Sequence, residues 1–164
     1  MESNPLIPKS YTLKIEIMKK LEFKTMINAA PEKIWEVLLG KDTYPIWTAV
    51  FAEGSNVKTD WKKGSKAIFL DGKGNGMVSE IAENIPAKFL SIRHLGDVIN
   101  GKEDLESEKV KEWAGAYENY TLTEVNGQTE WSISLDIVED YEDYMMDTWP
   151  QALKKVKELA ENKE

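Results

Sequence analysis

Residues 141–161 set the strongest constraint on the fold. Met145, Thr148, Trp149, Ala152, Leu153, Val156 and Leu159 recur at helical spacing and form one apolar stripe. Glu142, Asp143 and Asp147 come early in this span and Lys154, Lys155 and Lys157 late, the order that the helix dipole favours. Pro150 falls inside, so it either kinks the helix or marks its first turn. The charge order over the whole span favours the kink. One long helix with one apolar face needs a matching apolar surface, and the rest of the chain must supply it.

That remainder reads mostly as strands. Residues 1–10, with Pro5 and Pro8, make a flexible lead-in, and 11–164 form a single domain. From Tyr11 to Ile27 the chain alternates: Leu13, Ile15 and Ile17 share one parity, and Leu21, Phe23, Thr25 and Ile27 continue it. A short helix follows, with Pro31 at its first position, Glu32 on the N-terminal dipole, Ile34, Trp35 and Leu38 on one face, and Gly40 as the stop. Asp42–Trp47 gives a further helical turn, cut short by Pro45. Strands are expected near 65–70, 76–83 and 88–95, with turns at "DGKGNG" and "NIPA". Residues 96–112 are acidic and weakly apolar, and read as a long exposed loop with at most a helical turn. A curved antiparallel sheet whose concave face wraps the last helix buries the stripe and leaves a cavity beneath it, an α+β arrangement.

"YENYTLTEVNGQTEW", residues 117–131, fixes one register. Asn126-Gly127 is a strong two-residue hairpin signal. Paired residues then have numbers summing to 253, so Leu122 faces Trp131, Tyr120 faces Ile133, Glu118 faces Leu135 and Ala116 faces Ile137. A three-residue loop would set Thr121 and Thr123 against the apolar partners and scramble the pattern. Glu118 therefore belongs to the inward, apolar face. An inward carboxylate needs a partner: Arg93, His94, a tyrosine, a tryptophan N–H or a ligand group. The alternative is a bulge near Gly115 that lets Glu118 reach water.

Bulk properties narrow the function classes. The net charge of −8, without a basic run, disfavours nucleic acid and anionic membrane as partners. The absence of cysteine excludes disulfides, thiol catalysis and thiolate metal sites, and a single histidine excludes His-rich metal centres. No segment approaches the ~18 apolar residues of a membrane span and the N-terminus lacks a signal-peptide pattern, so a cytoplasmic location is expected. "DGKGNG" precedes a strand rather than a helix and lacks the phosphate-loop ending, so it reads as a turn. "KEDLESEK" lacks calcium-loop spacing. His94 shares a face with Leu90 and Ile92, where a histidine is either a satisfied core group or a polar contact inside a cavity. The six tryptophans come from nearly every element, and serve either as core or as walls for a large apolar ligand.

"INAAPEKIWEVL", "IWT", "WKKGSKAIF", "NGQTEWSISL" and "TWPQALKKVKEL" together resemble the domain homologous to the activator of heat-shock protein 90 ATPase. That family belongs to the START-related SRPBCC superfamily, and the resemblance spans about residues 20–162. It implies a helix-grip fold, with about seven antiparallel strands around the C-terminal helix, two short helices after strand 1, and a cavity for hydrophobic ligands.

The primary expectation is non-catalytic binding of a small hydrophobic or amphipathic molecule, with no cofactor or metal. Trp47, Trp61, Phe69, Met77, Ile92 and Tyr120 would form walls, together with Trp131, Met145, Trp149 and Leu153. His94 and Glu118 would be polar anchors. A second expectation is a protein-interaction module that regulates a chaperone or stress-response partner, using the acidic segment 96–112, and a homodimer is a further partnership to consider. The third is an enzyme of cyclase or dehydratase type, with His94 and Glu118 as acid and base, which requires the two side chains to meet.

Overall fold

A computed structural model describes residues 18–162. The expected lead-in and the first part of the expected first strand, residues 1–17, lie outside the described residues.

The chain order is β1 (Met18–Ile27), α1 (Pro31–Leu39), α2 (Tyr44–Thr48), β2 (Asn56–Lys58), β3 (Lys66–Leu70), β4 (Gly76–Ile85) and β5 (Phe89–Ile99). Then come β6 (Lys102–Asp104), α3 (Glu108–Lys111), β7 (Tyr117–Val125), β8 (Gln128–Val138), a 3-10 turn (Glu139–Tyr141) and α4 (Glu142–Glu161). All strand pairs are antiparallel, in the order β1-β8-β7-β5-β4-β3-β2. The edge of β5 opposite β4 is shared, with β7 on its first half and β6 on its end. Register shifts in the β4–β5 ladder at Val78/Ser79 and at Ile81/Glu83 mark bulges, which bend a sheet and increase its twist.

The hairpin forms as its sequence dictates. Val125 pairs with Gln128, Leu122 with Trp131, Tyr120 with Ile133 and Glu118 with Leu135. Asn126 and Gly127 both adopt positive φ, 51° and 83°, as a two-residue turn of this twist requires. Gly115, at φ 95°, interrupts regular pairing on the N-terminal side of β7, but the ladder has resumed by Glu118. The chain departs from its strand before Glu118, so the carboxylate stays on the inner face.

α4 lays its stripe on the core: Thr148, Trp149, Ala152, Val156 and Ala160 are buried, and Met145, Leu153 and Leu159 pack at the edges. Full burial of a larger apolar side chain such as Val156 stabilises the fold by about 1.5–3 kcal/mol relative to exposure. Pro150 lies well inside the helix, which excludes the first-turn alternative. The C-terminal end is tied down through Lys157, whose Nζ donates to the Met26 carbonyl (2.7 Å), and through Glu161, which accepts from the Asn28 amide (2.7 Å).

Three local expectations are corrected. Pro45 sits in the first turn of α2 rather than ending it, where its missing N–H costs nothing. Val37 joins Ile34 and Leu38 on the buried face of α1, and Trp35 is only half-buried. Residues 96–112 are not one long exposed loop: β5 runs on to Ile99, turns at Asn100-Gly101 into β6, and leads to α3, which Ser107 caps by accepting from the Val110 amide. Val110 is fully buried and anchors this segment. A single apolar residue gives no periodicity, so composition alone concealed it.

Candidate functional site

Between the concave face of the sheet, α2 and the N-terminal half of α4 lies a cavity of about 580 Å3. Its walls come from elements that the hairpin register and the helix stripe bring together. Trp47 of α2, Phe69 of β3, Met77 of β4 and Tyr120 of β7 line it, as do Met145 and Trp149 of α4. The polar lining is anchored by His94 of β5 and Glu118 of β7.

These two side chains meet. His94 follows Ile92 on the same face of β5, and Ile92 pairs with Glu118, so His94 and Glu118 are diagonal neighbours on adjacent strands. His94 Nε2 stands 3.0 Å from Glu118 Oε1. The Tyr120 hydroxyl donates to Glu118 Oε2. On the far side of the imidazole, Ser79 Oγ lies 2.6 Å from His94 Nδ1. Ser79, His94, Glu118 and Tyr120 thus form one continuous hydrogen-bonded chain on the cavity wall.

The carboxylate shapes its surroundings. Burial first, and then the charge of Glu118, raise the Tyr44 phenol far above its usual range. Tyr120 is raised well above its usual value by burial, by the Glu118 charge, and by its hydrogen bond to that carboxylate. Both phenols therefore remain neutral donors across the physiological range. The Tyr44 hydroxyl has no hydrogen-bond partner among the described residues, although Tyr44 lines the cavity.

Aromatic rings form a contiguous wall from this polar chain to α4. Phe69 meets the His94 ring at 6.0 Å and Tyr44 at 6.3 Å; Tyr44 meets Trp47 at 5.6 Å. Trp47 in turn contacts Trp149 at 6.2 Å, and Phe51 caps Trp149 edge-on at 5.0 Å. The Tyr144 hydroxyl of α4 donates to the Phe51 carbonyl at 2.5 Å, linking the helix to the segment after α2.

Four expected wall residues stand elsewhere. Trp131 and Ile92 are inward but fully covered, Trp131 by Trp47, Tyr120 and Trp149 packed edge-on around it. Trp61 is half-buried and supports the wall from behind, against Tyr44 and Phe69. Leu153 lies one turn too far along α4 and packs on the core. Trp113, one of the six tryptophans that could serve as core or wall, also lines the cavity, as do Tyr44, Tyr141 and Tyr144, which carry no such signal in the sequence. Ser79 could have been found, since it shares the inward parity of Met77 and Ile81. Among the described residues no three His, Asp or Glu side chains converge as a metal site, and no helix is long and apolar enough to cross a membrane.

An open antiparallel sheet wrapped around a C-terminal helix, with an aromatic cavity between them, defines a helix-grip protein of the START-related class. The chain belongs to the Activator of Hsp90 ATPase homolog 1-like protein family, whose model matches residues 28–161. Comparison with curated proteins gives no match. Among solved structures, the Aha1 dimer from Colwellia psychrerythraea is similar, at 21% identity and TM-score 0.68, over 89% of this chain and 99% of that one. A Cytophaga hutchinsonii protein shares 24% identity at TM-score 0.64, over 90% and 97%. DynU16, a protein in the dynemicin biosynthetic locus, shares 14% at TM-score 0.65, over 87% of this chain and 47% of that one. At these identities the likeness establishes the fold alone.

Proposed function

We propose that the protein binds a small hydrophobic or amphipathic molecule in the cavity between sheet and C-terminal helix. The observation that carries this reading is a space of about 580 Å3 walled by aromatic rings with one convergent polar group, the His94–Glu118–Tyr120 cluster. That volume suits a ligand-sized molecule, and a mostly apolar wall with a few fixed polar groups is the usual composition of such sites. Trp47, Trp113 and Trp149 line the space, so a bound molecule should quench or shift tryptophan emission. Titration with fatty acids, sterols and aromatic polyketides tests the reading. A folded sample whose emission responds to none of them would contradict it.

A second reading, acid–base chemistry on the bound molecule, is favoured by the 3.0 Å contact between His94 and Glu118. Proton transfer needs heavy-atom separations of about 2.6–3.2 Å, and this pair lies within them. A chaperone partner rests on the family description alone. A second copy of the chain is a partner suggested by the dimeric Colwellia relative, and sedimentation of the purified protein tests it.

A further inference from the structure

Glu118 places a carboxylate on the wall of an aromatic cavity, and among the described residues no lysine or arginine is paired with it. Among the described residues its one ion-pairing neighbour is His94. Ser79 is fully buried, and among the described residues its hydroxyl has His94 Nδ1 as its one partner. Buried hydroxyl protons are paired, so Ser79 donates to Nδ1 and that nitrogen carries no hydrogen. His94 is then the neutral tautomer, with its proton on Nε2 facing Glu118. Tyr120 donates to the other carboxylate oxygen. In this hydrogen pattern both partners donate as neutral groups, and among the described residues no lysine or arginine balances the charge of Glu118.

Other charges around the cavity do not remedy this. Asp71 accepts the amides of Lys73 and Asn75, Asp136 pairs with Lys20 at 3.0 Å, and Lys109 interacts with Asp97. Asp71, Asp97, Glu118 and Asp136 outnumber Lys109 among the charged lining residues. A carboxylate offers about four lone-pair sites, and two are occupied here. Ring faces carry a negative quadrupole and attract cations within about 6 Å of the centroid. Tyr44, Trp47, Phe69 and Tyr120 surround the same space, and among the described residues the Tyr44 hydroxyl has no hydrogen-bond partner. The carboxylate and the ring faces select the same ligand charge, and the Tyr44 hydroxyl oxygen can accept from such a ligand.

We propose that the cavity takes a hydrophobic amine in its protonated form, with the ammonium on Glu118 and the apolar body against the rings. The proposal rests on the cavity being a ligand site, as read above, and adds the sign of the ligand's charge. An amine of this class brings the missing counter-charge into a low-dielectric site, where a charged hydrogen bond is stronger than in water. A carboxylic acid of equal shape would place two like charges together.

Calorimetric titration of the full chain at neutral pH with a naphthylethylamine, the matching naphthylethanol and naphthylacetate separates these claims. The amine should bind at least tenfold more tightly than the alcohol, and the acid least. In Glu118→Gln, checked for its fold by circular dichroism, the amine should fall to the level of the alcohol while alcohol binding persists. The ranking in the unaltered protein decides the matter even if that variant does not fold. Equal or tighter binding of the alcohol or the acid overturns the charge assignment and leaves the cavity reading intact. Absence of binding by all three at millimolar concentration overturns both.

Discussion

His94 Nε2 and Glu118 Oε1, 3.0 Å apart on adjacent strands, share one hydrogen, and the nitrogen must be its donor because a carboxylate can only accept. The contact exists because β5 and β7 pair with Ile92 opposite Glu118, which leaves His94 diagonal to the carboxylate. With Ser79 on Nδ1, the imidazole has one self-consistent hydrogen pattern.

That pattern is directly measurable. The chain has one histidine, so its imidazole signals are unambiguous. Long-range proton–nitrogen correlation at neutral pH should show an unprotonated Nδ1 and a protonated Nε2. Protons on both nitrogens would contradict the donor assignment of Ser79.

The covered tryptophan should matter more to stability than any wall residue. Trp131 is fully buried beneath Trp47, Tyr120 and Trp149, yet its indole N–H has no partner among the described residues. Trp131→Ala should destabilise by about 3–5 kcal/mol, from lost contact and an unfilled space. Trp131→Phe keeps a ring and removes the orphaned donor, whose burial itself costs about 1–3 kcal/mol. Urea midpoints at unchanged m-value should therefore place Trp131→Phe nearer to the unaltered protein than to Trp131→Ala. The reverse order would show that the N–H has a partner.

Alkaline stability follows from the two buried phenols. Folding raises the pKa of Tyr44 and Tyr120, so both favour the protonated state. Their contribution is fully present below the unfolded value near ~10 and is lost as pH rises above it towards the folded value. Each should reduce the unfolding free energy by about 1.4 kcal/mol per pH unit in that range. Urea titrations from about pH 9 to pH 11 should show a shallower loss in Tyr44→Phe than in the unaltered protein. Identical slopes would mean that the Tyr44 phenol titrates alike in both states.

Gly76 supports the wall through its lack of a side chain. A Cβ there would stand 1.7 Å from the Phe69 carbonyl oxygen, which is backbone and cannot rotate away. Gly76→Ala should open the β3–β4 pairing, cost roughly 1–3 kcal/mol, and disturb Phe69 and Met77 on the cavity lining. Denaturant unfolding and backbone amide shifts of residues 66–80 check it. A variant with unaltered stability and spectrum would show that the pairing tolerates the methyl group.

Much of this architecture was legible because local chemistry determined it. Asn126-Gly127 set the β7–β8 register, and with it the inward face of Glu118, without any long-range information. The stripe of α4 is periodic and so declares its buried side. Contact between His94 and Glu118 was not legible, because it depends on β5 pairing with β7 across the intervening residues 100–116, which contain β6 and α3. Parity also failed to separate cavity from core. Trp131 and Tyr120 share a face, but Trp47 from α2 covers one and leaves the other on the wall, and the seat of a five-residue helix has no periodic signature. The segment 96–112 hid its strand and helix for a similar reason: its buried apolar residues, Val98 and Val110, stand far apart among polar ones.

Indole N–H resonances test occupancy of the cavity most directly. Trp47, Trp113 and Trp149 line it, whereas Trp35 lies on α1 away from it. On titration with the three naphthyl ligands, the indole signals of Trp47, Trp113 and Trp149 should move together and saturate, with that of Trp35 unchanged. Movement of Trp35 alone, or of none of these signals in a folded sample, would contradict ligand binding beneath the C-terminal helix.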